Sequence, residues 1–204
     1  MFSKTRIQVG DPAPDFTLNS QSGQEVSLRD FHGLRNVVLY FYPKDDSPIC
    51  TKEACTFRDS YEGLQASGAE VIGISADSAE SHQQFASKYK LPFTLLSDPT
   101  NQVRKSYGVK ETLGFIPGRV TFLIDKEGII RHIFDAQLSA KAHVEEALRN
   151  LQDLYIKCPY CRTEVSYLKY KVVEDDTCGF VHSQTSANVI FCPHCHSVLG
   201  VKMN

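Results

Sequence analysis

Short apolar runs alternate along most of the chain with longer segments that carry their apolar residues at helical spacing. Val37 to Tyr42 (VVLYFY) is the strongest run and predicts a buried strand, which Pro43 ends. Lys44-Asp45-Asp46 follows as a polar turn, and Ser47-Pro48 then has the form of a helix start. Ser47 suits the N-cap, and Pro48 suits the first helical position, where its missing N–H costs nothing. From there Ala54, Phe57, Tyr61 and Leu64 form a helical stripe, with Gly68 as the C-cap. Upstream, residues 13–30 alternate around Ser22-Gly23 (Phe16, Leu18, then Val26, Leu28), which predicts a hairpin. Downstream, strands are predicted over Val71–Ile74, Leu91–Leu96, Val120–Ile124 and Ile129–Phe134, the last two joined by the turn signal Asp125-Lys126-Glu127-Gly128. Helices are predicted over Ser81–Lys90, as a short piece within 100–107, and from Ser139 to about Tyr155.

Strands alternating with helices, plus a hairpin, argue an α/β sheet covered on both faces. The pattern ends at about residue 156. From Lys157 the helical stripes cease, and the chain reads CPYC, thirty further residues, then CPHC. Two domains are therefore predicted: 1–156, and a small β module over 157–204 with strands read from Val165 to Val173 and Val189 to Phe191.

A chain of 204 residues is long enough for one sizeable core with such an appendage. Its net charge of −2 argues against a generic binder of nucleic acid or anionic membrane. MFSKTRIQVG lacks the apolar core of a secretory signal, and no run approaches membrane-spanning length. A cytoplasmic protein is expected. Seven cysteines in that compartment are better explained by metal binding and redox chemistry than by structural disulfides.

Cys50 falls in the first turn of the predicted helix, where unsatisfied backbone N–H groups and the positive end of the helix dipole favour an anion. A thiol so placed should hold more thiolate, its nucleophilic form. Cys55 lies five residues on, about 500° of rotation and roughly 7.5 Å of rise away on an ideal helix. The two Cα atoms would then be roughly 8 to 9 Å apart, too far for a disulfide without backbone movement. Pairing them requires the first turns of the helix to unwind. The plainer reading is a small buried hydrophobe with a bystander.

Neighbouring residues shift that balance. Pro43-x-x-x-Ser47-x-x-Cys50 resembles the active-site signature of the peroxiredoxins, Pro-x-x-x-Thr/Ser-x-x-Cys, and the second cysteine five residues on resembles the PrxQ, or bacterioferritin comigratory protein, subgroup. Gly10-Asp11-Pro12-Ala13-Pro14-Asp15-Phe16 is similar to that family's opening, and Gly118-Arg119-Val120-Thr121-Phe122-Leu123-Ile124-Asp125 to its arginine-bearing strand. Most members carry threonine where this chain has Ser47; the hydroxyl is kept and a methyl lost. The resemblance spans roughly residues 5 to 155 and implies a thioredoxin-like fold with peroxiredoxin additions. It implies a peroxidatic Cys50, a Ser47 hydroxyl that holds the peroxide, an Arg119 that stabilises the thiolate and the transition state, and a Pro43 that shields the site. It further implies Cys55 as the resolving thiol, hydrogen peroxide or an alkyl hydroperoxide as substrate, and a thioredoxin-like dithiol as reductant. No nicotinamide, flavin or haem motif is present, and a monomer or weak homodimer is expected.

Outside that resemblance, Cys158-x-x-Cys161 and Cys192-x-x-Cys195 offer four thiolates at knuckle spacing. Zinc takes such a set tetrahedrally, and a segment of about fifty residues needs such a staple to fold, so a structural zinc ribbon is predicted. Iron fits the same donor set. Arg162 and His196, where rubredoxins usually have glycine, favour zinc. Cys178, His182, His194 and His196 are spare candidate ligands. A competing reading makes the chain a redox sensor or zinc-dependent binding protein, with oxidation of the four-cysteine site as the output.

Overall fold

The computed structural model describes residues 7–112, 116–137, 139–157, 164–166, 172–174, 187–191 and 198–203. The residues alternating around Ser22-Gly23 pair as β1 (Thr17–Ser20) and β2 (Glu25–Ser27), antiparallel. Leu28, assigned to that hairpin by alternation, instead opens a 3-10 turn, Leu28–Phe31, capped reciprocally by Ser27 and Asp30. The apolar run becomes β3 (Asn36–Phe41), buried at every position.

The single helix expected after it is two, α1 (Pro48–Asp59) and α2 (Tyr61–Ala66). Ser60 divides them at φ −104°, ψ 1°, its N–H shared between the Thr56 and Phe57 carbonyls. Beyond the break the Tyr61 hydroxyl donates to Glu70 at 2.6 Å. Then follow β4 (Ala69–Ser75), α3 (Ala79–Tyr89), β5 (Thr94–Ser97) and α4 (Gln102–Ser106). The strand expected from Leu91 starts only at Thr94. Lys90 ends α3 in the left-handed region at φ 54°, the Leu91 N–H still bonds Ala86 O, and Pro92 has no N–H for a ladder. A two-stranded piece, β6 (Glu111–Thr112) with β7 (Ile116–Pro117), was not expected. The predicted hairpin is present as β8 (Val120–Ile124) and β9 (Ile130–Asp135), followed by α5 (Ala140–Leu154).

Seven strands form one mixed sheet in the order β2-β1-β5-β4-β3-β8-β9, with β3, β4 and β5 parallel at its centre. Parallel strands need cover on both sides, and alternation along β3 supplies it. Val37, Leu39 and Phe41 join a core with Phe16, Tyr107 and Phe122. On the opposite face Tyr40 stacks on Phe57 of α1 (4.7 Å between centroids) and on Tyr42 (5.3 Å), which in turn faces Phe85 of α3. Such side chains contribute about 1.5–3 kcal/mol each on burial.

By its contacts the chain divides into two units, Met1–Leu151 and Gln152–Asn204. In the second, β10 (Tyr155–Lys157) pairs antiparallel with β11 (Glu164–Ser166). There β12 (Val172–Glu174), β13 (Ala187–Phe191) and β14 (Val198–Met203) form an antiparallel sheet. Cys158, Cys161, Cys192 and Cys195 lie outside the described residues, as does Cys178. Among the described residues no helix is long and apolar enough to cross a membrane.

Gly73 of β4 lies opposite Tyr40 of β3, and a Cβ there would sit 2.7 Å from both Tyr40 Oη and Leu95 Cδ2. Gly73→Ala should therefore cost about 1–3 kcal/mol, read as a lower urea midpoint with an unchanged slope.

Candidate active site

Tyr42, the last residue of the apolar run, leads into half-buried Pro43 and the turn before α1. That turn is held by a buried carboxylate. Asp45, 6% exposed, accepts from the Tyr42 hydroxyl (2.7 Å) and the Ser81 hydroxyl (2.7 Å), and His82 Nδ1 lies 2.9 Å away. Its own N–H donates to the Asp77 carboxylate at 2.9 Å. Burying a carboxylate is costly unless it is bonded, and these partners offset that cost while tying the turn to α3. Asp46 takes φ 55° and pairs with Lys88 at 2.8 Å.

The helix start therefore has a fixed position. Ser47 stands at the N-cap with extended backbone, but its hydroxyl donates back to Lys44 O at 3.1 Å and does not cap the helix. Cys50 lies in the first turn, buried, and Cys55 further along the same helix, half-buried; both are free thiols.

Opposite Cys50 the segment before β8 brings in Arg119, itself buried. Gly118 makes the approach possible, since a Cβ there would collide with the Lys110 carbonyl oxygen. Arg119 Nη2 donates to Cys50 Sγ at 3.1 Å, Nη1 donates to the Glu53 carboxylate, and Nε donates to Gln137 O at 3.3 Å. Glu53 follows Cys50 by three residues and so shares its side of α1. The structure thus brings Cys50 and Arg119 together, with Ser47 and Pro43 on the loop ahead of the cysteine.

Behind the ion pair stands a residue that no sequence pattern singled out. His143 of α5 is fully buried; its Nε2 lies 2.7 Å from Ala136 O, which can only accept, so Nε2 carries the proton. Nδ1 therefore accepts from the Thr121 hydroxyl at 2.8 Å, with Glu53 Oε1 3.7 Å away. Burial holds His143 down from 6.5 to about 4, the Arg119 charge adds to this, and the Ala136 carbonyl and Asp135 oppose it. Glu53 could have been found from its spacing to Cys50. His143 and Thr121 lie on elements distant in sequence and carried no such signal.

A thioredoxin-like sheet that sets a buried thiol at a helix start against a buried guanidinium is the arrangement of a thiol peroxidase. The AhpC/TSA family matches residues 9–133, and the chain belongs to that family. Within it the chain is 53% identical to the chloroplastic peroxiredoxin Q of Oryza sativa subsp. japonica over 150 residues, 73% of this chain and 69% of that protein. It is 52% identical to the peroxiredoxin Q of Sedum lineare, covering 80% of it. Among solved structures, peroxidoxin BcpB from Mycobacterium tuberculosis aligns with a TM-score of 0.67 at 35% identity, over 72% of this chain and 97% of that one. Xanthomonas campestris peroxiredoxin Q aligns with a TM-score of 0.63 at 30% identity, over 67% and 89%. The chain is thus a peroxidase with the thioredoxin-like peroxiredoxin fold. The expectation of a cytoplasmic protein is overturned, because these plant relatives are chloroplastic. Hydropathy reports on membrane insertion and carries no information on the compartment.

Because the folded chain holds His143 below its ordinary value, its contribution to stability is complete above about pH 6.5 and is lost as pH falls toward 4. Across that window only the unfolded chain takes up the proton, which amounts to about 3 kcal/mol. His143→Gln should flatten this part of the curve when urea unfolding is compared at pH 7, 5.5 and 4.5. An unchanged pH dependence would remove His143 as its source.

Proposed function

We propose that the chain reduces hydrogen peroxide and alkyl hydroperoxides through Cys50, with Cys55 as the resolving thiol and a thioredoxin-like dithiol as reductant. The observation that carries this reading is Arg119 Nη2 on Cys50 Sγ, with the Glu53 carboxylate on the other guanidinium nitrogen. A guanidinium donating to sulfur suits a thiolate and then stabilises negative charge on the peroxide oxygens as the O–O bond stretches. The Ser47 proton is engaged by Lys44 O, so its oxygen is free to accept the peroxide's O–H. Pro43 limits water at the sulfur.

In the first step Cys50 thiolate forms an S–O bond as the O–O bond breaks, and the departing alkoxide or hydroxide takes a proton to leave as alcohol or water. In the second, Cys55 attacks the sulfenic sulfur, the S–S bond forms, and hydroxide leaves as water. Both thiols belong to one continuous helix, so its first turns unwind for this step. Two exchanges with an external dithiol then return both thiols and leave that partner as a disulfide. The plastid of the plant relatives is the compartment we carry over. For the tail, the proposal is a zinc ion held by Cys158, Cys161, Cys192 and Cys195 in a structural role, supported by the pairing and spacing of the four cysteines.

Intact mass after one equivalent of hydrogen peroxide should show loss of two hydrogens in the wild type. A Cys55→Ser chain should gain one oxygen, and Cys50→Ser should leave the peroxide unconsumed. A Cys55→Ser chain that still formed an intramolecular disulfide with Cys50 would remove Cys55 from its role. Native mass spectrometry should find one zinc per chain, and chelation should release it while the rate of Cys50 oxidation stays unchanged.

A further inference from the structure

Arg104 is a buried cation that the cycle above does not use. It belongs to α4, is 4% exposed, and burial lowers its pKa, against which the charges of Asp98 and Cys50 act. Its guanidinium hydrogen bonds among the described residues go to main-chain carbonyls, Nη1 to Gly118 O at 2.7 Å and Nη2 to Tyr42 O at 2.6 Å. The guanidinium lies over the Phe41 ring, 5.6 Å from its centroid. Asp98 anchors the start of α4 by accepting the N–H groups of Gln102 and Arg104, both at 2.9 Å.

The positions of the two carbonyls give the residue its meaning. Tyr42 immediately precedes Pro43, and Gly118 immediately precedes Arg119. The ladder between β3 and β8 ends at Phe41 opposite Val120, one position short of Tyr42 and two short of Gly118. Past that point the ladder no longer joins the two segments, one of which leads to Cys50 while the other carries the guanidinium that faces it.

We propose that Arg104 is a positioning residue for the peroxidatic centre. It supplies the missing rung between the two strand ends and so keeps Arg119 within hydrogen-bond reach of Cys50 Sγ. This rests on the reading of Cys50 as the peroxidatic thiol. The planar fork of arginine reaches two carbonyls at once, which the single ammonium of lysine does not reproduce.

The test compares Arg104→Lys and Arg104→Ala in the full chain, following single-turnover oxidation of Cys50 by hydrogen peroxide with quenched mass spectrometry, alongside thermal melts. Arg104→Lys should melt cooperatively and oxidise about 10- to 100-fold more slowly, while dithiothreitol reduces its preformed disulfide at the wild-type rate. Millimolar guanidinium chloride should restore part of the Arg104→Ala rate. A folded Arg104→Lys chain that oxidises at the wild-type rate overturns the proposal, as does slowing that merely follows the unfolded fraction. A Cys50→Ser chain that still consumed peroxide would overturn instead the reading on which the clamp rests.

Discussion

One guanidinium shared between a sulfur and a carboxylate is the interaction on which the site depends. Arg119 is buried with Cys50 on one nitrogen and Glu53 on another, so the three side chains form a small charge cluster removed from water. Such a cluster is stable only while all its members are present, because a buried charge left alone costs far more than the pair contributes. Its surroundings follow from that requirement. Gly118 gives the approach, Gln137 O takes the third guanidinium contact, and His143 is kept neutral where a second cation would compete for Glu53.

The sheet converts this local demand into a fold. Its central parallel strands are buried on both faces; beyond Phe41 the pairing of β3 with β8 ends, Tyr42 N–H still donates to Ile74 O of β4, and side-chain bonds hold the rest of the projecting segment. Asp45 ties the loop to α3 through Ser81 and His82 and to the strand end through Tyr42, and Arg104 ties the same strand end to Gly118. The buried Cys50 thiol is thereby placed at a loop-to-helix junction, while the precision comes from polar contacts to elements far along the chain.

This division also explains what could be read from the sequence. β3, the β8–β9 hairpin and the start of α1 were legible because apolar runs, a turn signal and Ser47-Pro48 are local codes. Cys50, Ser47, Pro43 and Arg119 were legible as members of short motifs. The break at Ser60 was not, since it depends on contacts made after folding, and the late start of β5 was signalled locally only by Pro92, whose missing N–H keeps it out of a ladder. The direction of the Ser47 hydroxyl, and the partners of Asp45, Arg104 and His143, belong to the same class, because a buried polar residue declares its role only once its partners are in place.

Glu53 lies between Cys50 and Cys55, on the stretch of helix that the proposed cycle must unwind. Unwinding therefore takes the carboxylate away from Arg119 and leaves the guanidinium without its counter-charge, a loss of about 3–5 kcal/mol for a buried pair. Carried by the barrier alone, that would lengthen the life of the sulfenic acid by a factor of about 100 or more. During that interval the oxidised sulfur would remain beside Arg119. A second peroxide arriving then would carry it to the sulfinic acid, which thiols do not reverse. In the proposed cycle the ion pair would thus also act as a clock, setting how much oxidant the protein survives before its own cysteine is spent.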